Sequence, residues 1–143
     1  MSNLGPSVKI TRLMNAVAAG TSDQLSSALD MQGFDGVMFL TSFGTITAGA
    51  VTSVDVHQCD TSGGTYAALS IAVADDDDNQ VVVHDIYRPR ERYIKVNIDR
   101  GTQNAVIDGV VAIQYGARVM PTTNDSTTVV SREVHASPAE GTP

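Results

Sequence analysis

The chain has 143 residues, 42% apolar, 17% charged and 5% aromatic with no tryptophan, and a formal charge of −7. That length suits one core, packed from Val, Ile, Leu and Ala rather than from large rings. The acidic balance argues against a sequence-independent nucleic-acid binder, which needs clustered Lys and Arg to displace counterions from phosphates. A single cysteine, Cys59, excludes an intrachain disulfide framework and a cysteine-rich zinc site, and reads as a small half-buried side chain at a strand end. With no apolar run of about 18 residues, and no apolar h-region in MSNLGPSVKITR, the chain is expected to be made and folded in a cytoplasm, without a membrane partner.

After a short polar arm, residues 1–7, Val8 to Met14 reads as a first strand, with Pro6 at an opening that needs no ladder hydrogen bond. Between Asn15 and Gln32 two readings compete. Leu25, Ala28 and Leu29 have helical spacing with Ser22 or Asp23 as a cap, whereas Gly20, Ser26 and Ser27 favour extended chain; loop plus strand is preferred. Val37 to Leu40, bounded by glycines, suits a central strand or one buried on both faces. Thr45 to His57 continues as β with a bulge or turn at Ala48 to Ala50, and CDTSGGT is a loop. In Thr65 to Val73, Ala67, Leu69, Ile71 and Val73 alternate as on a half-buried strand, and Asp75 to Gln80 is a turn.

Gln80 to Tyr87 is a strand. After the break at Arg88-Pro89-Arg90, the next strand puts Ile94, Val96 and Ile98 on one face and Tyr93, Lys95, Asn97 and Asp99 on the other. Asp99-Arg100-Gly101-Thr102 closes a turn, and Ala105 to Tyr115 returns with Ile107, Val111 and Ile113 pointing one way. Closely spaced strands with tight polar turns indicate an all-β fold: an antiparallel β-sandwich, jelly-roll-like, over residues 8–118. Residues 119–143, rich in Thr, Ser and Pro and without an aromatic, form an extended C-terminal tail, either disordered alone or laid across a neighbour. Within it Thr127, Thr128, Val129 and Val130 are β-prone enough to add a strand to another subunit.

The candidate chemistry is sparse. Asp75, Asp77 and Asn79 match the first ligands of a calcium loop, but Gln80 stands where that loop needs glycine and Ile86 where it needs a bidentate glutamate, so a solvated hairpin tip is preferred. His57, Cys59 and His84 match no zinc spacing, and His84-Asp85 lacks a nucleophile elbow. No catalytic residue, metal site or cofactor is expected. The cluster Arg88, Arg90 and Arg92 is the strongest feature, because residues two apart in extended chain project together and guanidinium forks grip carboxylates. It reads as a contact for an acidic partner surface or, equally, as exposed charges paired with Glu91, Asp85 or Asp99.

The segments SSALDMQGFDGVMFLTSFGTITAGAVTSVDVHQ and VVVHDIYRPRERYIKVNIDRGTQNAVIDGVVAIQYGARVMPTT resemble a group of small virion proteins of tailed bacteriophages, described as structural, head-decoration or cement proteins. The resemblance runs from about Val8 to Thr128 and is most specific between Arg100 and Arg118. The short connection from His57 to Thr65 and the acidic run Asp75 to Asp78 depart from the group. The resemblance implies a β-sandwich on the capsid surface of the virion, a homotrimer bound to the major capsid protein. Val8 to Met14, Arg88 to Arg92 and the tail would make the contacts, with no enzymatic activity and no direct contact with nucleic acid. The alternatives are a head-tail connector, tail or fibre-anchoring component, and a host-surface or glycan-binding jelly roll using Tyr66, Tyr87 and Tyr93 as aromatic platforms.

Overall fold

A computed structural model describes residues 3–64, residues 67–73 by their backbone, and residues 77–141. After a single 3-10 turn at Gly5–Ser7 come β1 (Lys9–Met14), β2 (Val17–Gly20), β3 (Gln24–Leu25), β4 (Leu29–Asp30), β5 (Gly36–Ile46), β6 (Thr52–Cys59), β7 (Ala67–Val73), β8 (Val81–Tyr87), β9 (Tyr93–Arg100) and β10 (Ala105–Tyr115). All pairings are antiparallel. One sheet has the order β1-β10-β5-β8 with β2 also on β10; the other has the order β3-β9-β6-β7 with β4 also on β9. Setting aside the short branches β2 and β4, the remaining strands pair first with last, second with seventh, third with sixth and fourth with fifth. That nesting is the wrapping of a jelly roll.

The preferred extended reading of Asn15 to Gln32 is what the chain adopts, as three short strands. Leu29 and Met31 turn into the core while Ser26 bonds across to β9. β5 is central, between β10 and β8, and its inward residues Val37, Phe39 and Phe43 are at most 1% exposed. They meet Val54 and Val56 of β6 and Ile94, Val96 and Ile98 of β9 across the sandwich. Alternation along β9 matches its sequence pattern residue by residue.

Two features depart from the sequence pattern. The second half of β10 does not keep Ile107, Val111 and Ile113 on one face. Ile107 is buried, but the buried residues beyond it are Val110, Ala112 and Gln114, and Val111 and Ile113 lie on the outer face. Register shifts between Ile107 and Gly109, and Gly109 sits at φ +140, so a bulge absorbs one residue and inverts the alternation.

The other departure is Arg100, which closes β9 rather than a turn and is 4% exposed. Its Nε donates to Ser22 O at 2.7 Å, and its Nη1 to Ala18 O at 2.8 Å and Ala105 O at 2.9 Å. One guanidinium thus ties β9 to β2, to β10 and to the loop after β2. Gly20 makes room for it, since a Cβ there would stand 3.1 Å from Nη2. At the other end of the sandwich Gln114 Nε2 donates to Asp30 O at 2.9 Å, bridging the sheets in the same way.

His84 faces inward from β8 beside Phe39, is 6% exposed, and neither ring nitrogen has a hydrogen-bond partner among the described residues. Burial holds its pKa below 6.5, against a weaker upward pull from the Asp55 carboxylate. Between the depressed folded value and 6.5 the unfolded chain binds the proton and the folded chain does not. Stability is therefore expected to fall as pH drops below 6.5, by up to about 1.4 kcal/mol per pH unit. Urea midpoints of the wild type and His84→Leu between pH 7 and pH 5 check this: the two curves should diverge on acidification, and parallel curves would contradict it.

Candidate functional site

The arginine cluster lies in a run of bends between β8 and β9 rather than in extended chain. Arg88 takes a left-handed backbone, φ 50, held by its N–H donating to Asp35 O at 2.7 Å, and its guanidinium lies 5.1 Å from the centre of the Tyr87 ring. Arg88, Arg90 and Arg92 nonetheless line one open cleft of about 510 Å³, with Met31, Phe34, Asp35, Glu91 and Arg118. Arg118 is placed there by its N–H bond to Gly33 O, a contact between the ends of β4 and β10 that no local pattern announces.

The three clustered arginines do not act alike. Arg92 is committed within the chain: Nε and Nη2 grip the two oxygens of Asp30 at 2.9 and 2.8 Å, and Nη2 also reaches Gln32 Oε1 at 2.7 Å. Its partner is none of Glu91, Asp85 or Asp99. The Arg92 hydrogen bonds hold the Asp30 carboxyl below its ordinary pKa. Among the described residues Arg88, Arg90 and Arg118 make no ion pair and are exposed. These three are free to receive a partner's carboxylates.

The tail is ordered along its own chain. Thr122 N–H donates to Pro6 O at 2.9 Å and its hydroxyl to Val8 O; Ile10 N–H donates to Asn124 Oδ1 at 2.8 Å, and Arg12 N–H to Thr128 Oγ1 at 3.1 Å. Side chains thereby satisfy β1's outward-facing amides, the groups an edge strand otherwise offers to another sheet. Arg132 locks the arm to the tail, donating to Gly5 O at 2.9 Å and to Thr122 O at 2.8 Å. Thr127 and Thr128 belong to a turn closed on Asp125, with Thr127 N–H and hydroxyl both on Asp125 Oδ1. So 127–130 is not a strand, and Thr128 is spent on the chain's own β1. Val129 is half-buried and Val130 wholly exposed.

The remaining candidate ligands are dispersed. His57 faces outward from β6, 3.9 Å from Asp55, and Cys59 lies buried under the following loop, whereas His84 points inward from the opposite sheet. His84 and Asp85 project to opposite faces, and Asp85 accepts a hydrogen bond from Tyr115 OH; burial and that bond push the phenol up to about 12. Asp75 lies outside the described residues; Asp78 Oδ1 caps Ile46 N–H at 2.6 Å, and Asn79 turns at φ 58. Tyr66 also lies outside them, Tyr93 is half-buried and Tyr87 is 62% exposed. No helix among the described residues is long and apolar enough to cross a membrane.

No protein-family model matches the chain, and no curated protein matches it by sequence. In three dimensions it is similar to the crystal structure of PBSX exported protein XepA, with a TM-score of 0.56 and 17% identity, over 98% of this chain and 46% of that one. The chain thus spans less than half the length of that protein, and at this identity the likeness is one of fold.

Proposed function

We propose that the chain is a non-enzymatic bacteriophage structural protein that decorates the assembled head, bound to the major capsid protein. The observation that carries this reading is the tail. It is pinned to the arm and to β1 as far as Arg132, and then runs on as exposed chain, with Val134 51% exposed. A strap of that kind adds main-chain contacts to a neighbouring surface at little folding cost, and many equivalent sites on a lattice multiply a small contact area. The resemblance to virion proteins covers the strands of both sheets, and the fold is shared with a PBSX exported protein. A jelly roll is an architecture of viral capsid domains, which supports the reading by analogy.

Cutting the chain after Arg132 leaves the β1 edge capped and removes the strap. The shortened protein is expected to keep its melting temperature and to lose at least about tenfold in occupancy on particles, measured by co-sedimentation with capsids stripped of the wild-type chain. Unchanged occupancy would contradict the reading. The trimer implied by the resemblance would join two different patches head to tail.

A further inference from the structure

Sheet β1-β10-β5-β8 has two edges, and they are treated differently. The tail caps β1, whereas nothing among the described residues is hydrogen-bonded along the free side of β8. β8 reads VVVHDIY, and on its outer face Val81, Val83 and Tyr87 are 53%, 49% and 62% exposed, with Asp85 the one charge among them. A β-prone edge without a lysine, proline or bulge invites a further strand.

The two ends of β8 carry opposite charge. Before it lie Asp77 and Asp78, and Asp108 projects beside the same corner, its Oδ1 standing 3.3 Å from where a Cβ on Gly44 would be. Asn79 N–H donates to Gly44 O, fixing this acidic corner against the end of β5. After β8 lie Arg88 and Arg90, with Arg118 across the cleft; Asp35 and Glu91 line that cleft as well, and Arg92 is held by Asp30. Asp85, on the outer face of β8, is engaged by the Tyr115 hydroxyl, and the exposed charges directly beyond the strand are Arg88 and Arg90.

We propose that two copies of this chain pair through β8, antiparallel about a twofold axis near His84, giving one continuous sheet across the dimer. An antiparallel pairing sets the start of each β8 against the end of the other. The acidic corner of each copy then faces the Arg88–Arg90 end of its partner, so both ends are complementary at once, and Val81 of each comes beside Tyr87 of the other. A parallel pairing would set acid on acid and arginine on arginine. Seven paired residues span about 23 Å, a small interface, so the dimer forms reversibly and weakens as salt screens its ends.

Charge-swapped variants in sedimentation velocity test this. The wild type is expected to pass from monomer to dimer with rising concentration at low salt. R88E/R90E and D77K/D108K should each associate roughly 100-fold more weakly, because both ends of each homodimer then repel. Mixed in equal amounts, the two variants should form a dimer of one copy of each, since all four facing ends are complementary again; circular dichroism confirms that each is folded. A wild type that stays monomeric or forms trimers, variants that dimerise as well as the wild type, or a mixture that does not pair would each overturn the proposal. None of these outcomes depends on capsid binding.

Discussion

Replacing Arg100 by alanine is expected to lower stability by about 3–5 kcal/mol, as a shift of the urea midpoint with the slope unchanged. The carbonyls of Ala18, Ser22 and Ala105 all accept from this guanidinium in a site 4% exposed, and alanine removes that donor from each of them at once. Arg100→Lys distinguishes geometry from charge. An ammonium on that stem is a point donor and cannot serve carbonyls on three segments with a planar fork. Lysine is therefore expected to recover less than half of the loss. A midpoint within experimental error of the wild type for either variant would remove Arg100 from the set of contacts joining the sheets.

Gly109→Val carries the second large effect, a loss of about 3 kcal/mol. At φ +140 a side chain is strained whatever the space, and a Cβ there would stand 3.0 Å from Met14 O, a backbone atom of the neighbouring strand. Valine adds branching to both problems. Relief requires the bulge to flatten, which would turn Val110 and Ala112 out of the core and bring Val111 and Ile113 in. Thermal unfolding measures the loss. If Gly109→Val melts with the wild type, the bulge does not set the face of β10.

The readable part of the sequence was the part in which one strand meets one core. Ile94, Val96 and Ile98 alternate with polar residues over an uninterrupted run, and burial follows them strictly. The same alternation, carried one step further, reaches Arg100. A turn read at Asp99 to Thr102 hides that continuation, because the three carbonyls that receive Arg100 come from segments distant from β9 in sequence or beyond the turn. In β10 the period is broken by a residue whose role is conformational, and a glycine between apolar runs does not say which of its flanks keeps the register.

The candidate interface divides along the same line. Arg88, Arg90 and Arg92 share a cleft through the bends after β8 and not through extended-chain spacing, while Asp30 claims Arg92 from 62 residues away and Arg118 arrives from the end of β10. The composition of the tail, poor in apolar residues, pointed to disorder or to a neighbour. Its order comes instead from single polar side chains, Thr122, Asn124 and Thr128, each matched to one amide or carbonyl of the arm or β1. Such matching leaves no periodic trace.

Decoration of a head is a statement about stoichiometry, and the number of copies of this chain per purified particle, counted by quantitative mass spectrometry against the major coat protein, tests it most directly. A decoration protein is expected at a ratio near one copy per coat subunit. A dozen copies or fewer would move the chain to the neck, vertex or tail, and its absence from particles would contradict a structural role in the virion altogether.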